Sequence, residues 1–385
     1  MTSIVITSMV RTAIGNFGGA LKDVSSIELG KVVVNEAIRR AGLKPDKIDR
    51  LVLGENIQIN RGGNPARRVH LQAGLPIEVD DYTINMNCAS GLRTVVAAAQ
   101  DILCRDVEVV VAGGMENMSQ TPFILENARF GYRFGNGVLY DFLADHILGD
   151  AGPMAETVAE RYGVSREAQD KFAYESHLKA IKAQDEGKFK PYIVPIEVPV
   201  KGGTTLFEVD EHPRRDTSLD RLARLRPAFK PNGTVTAGNC SGINDGAAAV
   251  TLMTLEKAQE LGLEALGKLK AWASVGVEPE VFGIGPVPAV RRLLEKTDLS
   301  ISDIDLFEIN EAFASATIAC IEALGIDPEI VNPNGGAIAL GHPVGATGVM
   351  LLVKLLSELR LRGAKRGIAT MCIGSGQGMA VLVEL

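Results

Sequence analysis

The chain has 385 residues, enough for two or three domain-sized units at roughly 150 residues each. Apolar residues make up 46% and charged residues 23%, a balance that excludes long disordered tracts and a disulfide-stapled scaffold. A net charge of −7 excludes general attraction to nucleic acid or to an anionic membrane, so an anionic ligand has to meet a local basic patch.

The opening residues carry no positive charge before Arg11 and alternate like a strand over 4–7, the pattern of a folded domain and not of a secretory or transit leader. A helix is predicted over 27–41, a strand over 51–54, a strand-like run over 84–86, a helix over 89–103 and a strand over 107–112. Strands alternating with helical segments predict an α/β architecture with buried sheets. The stretch 117–243 differs in texture. It carries most of the basic clusters, Pro191, Pro195 and Pro199, and a charged helix over 165–186, and it reads as an inserted subdomain that covers a site. Beyond it come a strand over 306–309, a helix over 312–324, a helix over 344–359 and a strand over 367–371. The longest charge-free stretch, 330–353, has the length to cross a bilayer. Its glycines, with Pro333 and Pro343, mark it instead as a loop entering a helix.

The two ends of the chain repeat each other. Ile48, Asp49 and Glu55 in DKIDRLVLGEN match Ile304, Asp305 and Glu311 in SDIDLFEINEA at a constant spacing of 256 positions. The same spacing carries Cys88 to position 344, inside GHPVGATG, and the strand at 107–112 to the region 366–371 within a few residues. Two similar halves are implied, each running strand, glycine-bearing turn, helix.

Candidate chemistry gathers at those turns. Cys88, in NMNCASG, falls between a strand and a helix, where the positive end of the helix dipole is expected to lower its thiol pKa and make it a nucleophile; read alone, it is as readily a small buried hydrophobe. His342 lies in a glycine-dense loop between Gly341 and Pro343 at a helix start, placed to take a proton from a thiol that the repeat brings near. Cys372 stands at a strand end before Gly374, Gly376 and Gly378, where a thiol moves protons and bare amides hold an oxyanion; a buried cysteine in a hairpin turn is the plainer reading. Asn310, followed by Glu311, either orients a water or caps the next helix. Ser241 is a ligand contact or a turn residue. Arg214, Arg215, Arg221, Arg224, Arg226 and Lys230, against Asp216 and Asp220, offer a basic patch to ligand phosphates. Five cysteines, Cys88, Cys104, Cys240, Cys320 and Cys372, without CxxC spacing suit neither a disulfide framework nor a zinc ribbon, and point to a reducing compartment.

Taken in order, NMNCASG at Cys88, NEAF at Asn310, GGAIALGHPVGATG at His342 and CIGSGQG at Cys372, with GGMENMS at 113–119 and AGNCSGINDGAAA, resemble the thiolase family of acyl-CoA acetyltransferases over nearly the whole chain. The resemblance implies a five-layer αβαβα fold of two similar halves with an inserted loop domain. Its expected division is 1–117 plus 244–265 for the first half, 118–243 for the loop domain that binds coenzyme A, and 266–385 for the second half. It implies reversible Claisen condensation and thiolysis of 3-ketoacyl-CoA. Cys88 would be acylated, His342 would activate it, and Cys372 would move the proton at the α-carbon of acetyl-CoA. One thioester oxygen would be held by His342 and, through a water, by Asn310; the other by the N–H groups of Cys88 and Gly374. Arg214, Ala237, Ser241 and Phe313 would bind coenzyme A. Acyl-CoA and coenzyme A are then the partners, as substrates, with no metal or redox cofactor, no nucleic acid and no membrane, in a cytoplasmic homodimer or homotetramer. One segment departs from the family pattern: where short-chain members carry a His-Met pair before a TAE triplet, this chain reads GDAGPMAE over 149–156, after a shortened loop. The segment ENARFGYRFG, 126–135, resembles the loop that pairs dimers into tetramers. A decarboxylating ketoacyl synthase of the same fold, a catalytically silent acyl-CoA-binding protein and a zinc site of Cys88, Cys372 and His342 are the competing readings, and CIGSGQG argues against the first.

Overall fold

The repeat seen in the sequence is the organising feature of the architecture, which a computed structural model describes for residues 2–59 and 61–385, with the backbone alone at position 146. In the first half, β1 (Ile4–Thr12) leads to α1 (Ser26–Arg40), β2 (Arg50–Gly54), α2 (Pro65–Ala73), β3 (Asp80–Ile84), α3 (Ser90–Leu103), β4 (Val110–Asn117) and, after the long intervening segment, β5 (Asn244–Thr254). In the second half, β6 (Gly267–Gly276) is followed by α6 (Pro286–Thr297), β7 (Leu306–Ile309), α7 (Ala314–Leu324), α8 (Val344–Arg362), β8 (Arg366–Ile373) and β9 (Gln377–Glu384). The intervening segment contributes α4 (Ala151–Tyr162), α5 (Arg166–Asp185) and two short hairpins.

Strand order runs β7-β8-β9-β6-β1-β5-β4-β2-β3. Each half has a parallel pair, β2 with β4 and β7 with β8, flanked by antiparallel partners in the same sequence. The spacing of 256 is kept to the residue: β4 begins at Val110 and β8 at Arg366, and they end at Asn117 and Ile373. Asp49 accepts hydrogen bonds from the N–H groups of Glu108 and Val109, as Asp305 does from Lys365 and Arg366. Among the described residues the two half-sheets join through β1 and β6, with Ile4 to Ile6 opposite Leu269 to Gly267.

Helices cover and separate these sheets. α1 and α2 lie on the outer face of the first half, α3 and α8 sit together between the halves, and α6 and α7 close the second half, which makes five layers. Period-2 alternation in β8 and β9 explains why both faces are buried: Ile368, Ala380 and Leu382 pack outward with Val290 and Leu293 of α6, whereas Ala369, Met371, Val381 and Val383 pack inward toward α8. The charge-free stretch 330–353 is a loop, a short helix and the start of α8, and among the described residues no helix is long and apolar enough to cross a membrane.

Local predictions hold where caps mark the ends. Ser165 caps α5 by accepting from the Ala168 N–H, one residue inside the predicted start. Where no cap or turn residue marks a boundary the reading slips: the predicted strand-like run at 84–86 keeps only Ile84, the last residue of β3, with 85–86 in the turn that follows, and β4 starts three residues after the predicted 107.

What brings the two central helices together is the absence of side chains at their crossing. A Cβ on Gly91 would stand 2.7 Å from the Gly345 carbonyl oxygen, one on Gly114 would stand 2.1 Å from that same oxygen, and one on Gly348 would stand 2.3 Å from the Leu92 nitrogen. The backbones therefore touch, and the turns at the starts of α3 and α8 are held side by side. Gly348→Ala is expected to force α8 off α3, lowering the unfolding free energy by about 3 kcal/mol, at the upper end of overpacking penalties, as read from the urea midpoint; an unchanged midpoint would contradict this account of the crossing.

Candidate active site

Cys88 follows a backbone forced by its neighbours. Asn87 adopts φ +46°, a left-handed conformation that asparagine tolerates better than most residues, and its side chain donates to the Gly374 carbonyl oxygen at 3.0 Å. That bond ties the turn before α3 to the loop after β8. The Ser90 hydroxyl accepts from the Met86 N–H and donates to the Asn87 carbonyl, closing the turn beneath the cysteine.

The thiol itself lies among Ile57, Met118 and Val344. The expected lowering of its pKa is corrected here: burial raises the thiol, outweighing the N–H groups of Gly374 and of Cys88 itself, which are aimed at the sulfur and lower it, while the Glu116 carboxylate raises it further. Free Cys88 is therefore a thiol waiting for a base.

His342 precedes α8 and is buried, which pushes its imidazole pKa down to about 4, so it stays neutral across the physiological range. Its tautomer follows from its neighbour. The Thr347 hydroxyl donates to the Pro343 carbonyl oxygen at 2.9 Å and so must accept from His342 Nδ1, 2.6 Å away. Nδ1 carries the hydrogen, and Nε2 presents a lone pair. The Asn310 amide nitrogen is 3.4 Å from that Nε2. Among the described residues Asn310 Oδ1 is buried and accepts no hydrogen bond, which leaves it free for a water. The alternative reading of Asn310 as a helix cap does not hold, because the residue before α7 is Phe313. Glu311 is structural: it accepts from Ser176, Asn332 and the Ile338 N–H and pins the loop that leads to His342.

Cys372 lies within β8, not after it, and is buried. Burial holds its thiol far above the usual range, and it lies near enough to Cys88 for charge on that sulfur to raise it further. All five cysteines are free thiols.

A cavity of about 810 Å³ opens beside these groups. Arg214, Ala237, Ser241 and Phe313, the four predicted ligand contacts, all line it, and His342 stands at its wall with Val344 and Met118, the residues against which Cys88 packs. Asn310 adjoins the cavity wall through His342, and Cys372 lies near Cys88. The basic run does not act as one patch. Arg214 lines the cavity, whereas Arg215 pairs with Asp185, Arg221 with Asp216 and Lys230 with Glu160.

Sequence reasoning missed several residues. Thr347 is one turn into α8 from His342, a spacing that would have pointed to it. His212, buried so that its pKa falls to about 4, lines the cavity with Nδ1 2.6 Å from Asn16 Oδ1 and has no motif around it.

Comparison with known proteins places this geometry in a family. Residues 4–256 match the profile of the thiolase N-terminal domain, and residues 263–385 that of the thiolase C-terminal domain. The acetyl-CoA acetyltransferase of Chromobacterium violaceum is 48% identical, over 99% of each chain. The crystal structure of the Bacillus anthracis acetyl-CoA acetyltransferase superposes with a TM-score of 0.97 at 44% identity, covering 100% of this chain and 99% of that one. Human mitochondrial 3-ketoacyl-CoA thiolase superposes at 0.96 with 38% identity over the same shares.

Two outcomes follow from the His342 geometry. Thr347→Val frees the tautomer and is expected to slow iodoacetamide alkylation of Cys88 near neutral pH by about tenfold, within the range for a displaced general base, with the labelled peptide identified by mass spectrometry. A folded-state pKa held below the unfolded value near 6.5 means that the unfolded chain binds the proton first, so this imidazole costs stability as pH falls from about 7 toward 4. The stability advantage of wild type over His342→Asn should therefore shrink between pH 7 and 5 in urea titrations.

Proposed function

The chain belongs to the thiolase family, and on that premise we propose that it exchanges acyl groups between a Cys88 thioester and coenzyme A, as an acetyl-CoA C-acyltransferase acting reversibly on 3-ketoacyl-CoA. The observation that carries this reading is the pair of N–H groups, of Cys88 and Gly374, aimed at one sulfur beside a second cysteine and a neutral histidine.

In the thiolysis direction, His342 Nε2 takes the Cys88 proton as the sulfur attacks the 3-keto carbon, whose oxygen becomes an oxyanion. Collapse breaks the bond between C2 and C3. The electron pair passes to C2 of the departing acetyl-CoA, and Cys372 supplies the proton there. The acyl group stays on Cys88, and the proton held by His342 passes to the Cys372 thiolate; the imidazole so freed takes the proton of the coenzyme A thiol as its sulfur attacks the thioester, and returns it to Cys88 when collapse expels that sulfur. The oxyanion on the acyl carbon is held by the N–H groups of Cys88 and Gly374. The enolate oxygen of acetyl-CoA is held by His342, through the Nε2–H gained from Cys88, and by a water that donates one hydrogen to it and the other to Asn310 Oδ1. Each such contact contributes roughly 10²-fold or more, and together they account for a Claisen exchange by positioning and proton transfer. High thiol pKa values suit this division of work: neither cysteine carries charge until substrate arrives, and a neutral Cys372 is the form that donates.

Arg214 is the cation for the phosphates of coenzyme A, while Ala237, Ser241 and Phe313 follow its pantetheine arm along the cavity. At the acyl end the departure from the family pattern is substantial. Ala151 and Gly152 line the cavity, and a Cβ on Gly152 would meet the Phe229 ring at 2.1 Å, so that wall is built from small residues under an aromatic lid. Chains longer than acetoacetyl are expected to fit. We read the molecule as cytoplasmic and as a tetramer through the hairpin of Phe123–Leu125 and Leu139–Asp141, where Phe130 and Phe134 are 93% and 101% exposed. A decarboxylating condensing enzyme is disfavoured by Cys372 and by the match to thiolases across both halves.

Incubation with acetoacetyl-CoA should leave an acetyl adduct on Cys88, and acetyl-CoA should protect Cys88 from iodoacetamide. Cys372→Ala should still form the adduct from acetyl-CoA, a transfer that moves no proton at the α-carbon, but lose thiolysis turnover by at least about 10³-fold, as expected for a residue acting in concert with others; loss of the adduct from acetyl-CoA would contradict the division of roles. A thiolysis series from four carbons upward should give kcat/KM that does not decline at six carbons. Replacing the exposed Phe130 and Phe134 by serine should convert tetramer to dimer in light scattering.

A further inference from the structure

A cluster of charge lies buried behind Cys88 that the mechanism above does not use. Glu116, near the end of β4, accepts three backbone N–H bonds: from Asn56 at 3.0 Å, Ile57 at 3.1 Å and Gly345 at 2.9 Å. The first two belong to the loop after β2, and the third opens α8, three residues beyond His342. Glu55 is fully buried next to it, and among the described residues neither of its carboxyl oxygens has a hydrogen-bond partner. Arg61 is buried as well, with Nε 3.7 Å from Glu55 Oε1. Among the described residues the other charge that acts on Glu55 is the exposed Arg68 of α2; α1 contributes the neutral Ser26 hydroxyl, and the turn before α3 the Cys88 thiol, on which Glu116 acts.

Two ionised carboxylates with one arginine would leave an uncompensated buried charge, which is costly; one proton on the pair makes the cluster neutral. Glu116, with three N–H donors, is the better anion, and Glu55, with none, is the better acid. Burial raises both carboxyls, Glu116 to about 7 against its three N–H donors and Glu55, with Glu116 beside it, to about 8, so Glu116 is the first of the two to ionise. We propose that Glu116 is a positioning residue for the acyl-transfer site, ionised and clamping the start of α8 to the loop after β2, with a protonated Glu55 and Arg61 neutralising its surroundings. Through Gly345 it holds the turn that carries His342 against the turn that carries Cys88. Its negative charge also raises the Cys88 thiol. The clamp and the field thus pull in opposite directions on the reaction.

That opposition gives the test, which rests on the thiolase reading only in its turnover arm. In Glu116→Gln the weaker acceptor should lower kcat for thiolysis by about tenfold or more, as for a displaced proton-transfer group, with KM for acetoacetyl-CoA within about threefold. The pH midpoint of Cys88 alkylation by iodoacetamide should nevertheless move to lower pH. An unchanged kcat, or a midpoint that moves up, overturns the proposal. Arg61→Met should move the midpoint the other way, and a downward movement there also overturns it. Glu55→Gln mimics the protonated acid and keeps the fold accessible to measurement. A folded-state pKa above the unfolded value makes wild-type stability decline as pH rises through about 8, so between pH 5 and 9 the wild-type melting temperature should fall relative to that of Glu55→Gln. Parallel melting curves would overturn the placement of the proton. Alkylation and melting need no turnover, so a wild type inactive in thiolysis would sink the functional reading and leave these two arms standing.

Discussion

The close contact between α3 and α8 is the constraint from which the rest follows. Gly91, Gly345 and Gly348 let two helix starts, each carrying one reactive side chain, meet backbone to backbone. Without that approach Cys88 and His342 would stand apart by the width of intervening side chains, and Glu116 could not reach the Gly345 N–H while holding Asn56 and Ile57. A misplacement of about 1 Å at such a site costs on the order of 10²-fold in rate, so the small residues at the crossing are as much a part of the chemistry as the sulfur.

Electrostatics in the site is governed by burial first and partners second. Desolvation raises both thiols, against backbone N–H groups that lower them, and lowers His342 unopposed. The result is a resting state in which sulfur, imidazole and sulfur are all neutral. Charge then arises only once substrate oxygens are present to share it with the waiting N–H groups, and this keeps the separation of charge inside the reaction itself.

Much of this was legible in the sequence because it is periodic. The spacing of 256 positions announces two halves, and β4 and β8 obey it at both ends. Ser165 and the alternating strands mark their elements through capping and period-2 patterning. The four motif segments converge around one cavity wall. Other features left no local trace. The pKa of Cys88 was read with the wrong sign because helix position is a sequence property and desolvation is not. Arg215, Arg221 and Lys230 looked like one patch with Arg214, but Asp185 and Glu160 from elsewhere in the chain pair with Arg215 and Lys230, and Asp216 of the run itself pairs with Arg221. Glu55 reads as an ordinary loop carboxylate, and only the packing of Arg61 and Glu116 against it gives it meaning.

The seam between the halves also bears on how the protein is made. Because α8 lies near the end of the chain, the inner face of α3 has no cover while the ribosome is still adding the roughly 250 residues that separate them, an interval of roughly 10 to 50 seconds at ordinary elongation rates. During that time Leu92 and its neighbours present an oily, glycine-notched groove that fits one late helix and little else. Nascent chains of this kind are natural clients for chaperones, and a synonymous change that slows translation after β5 would lengthen their exposure without altering a single amino acid.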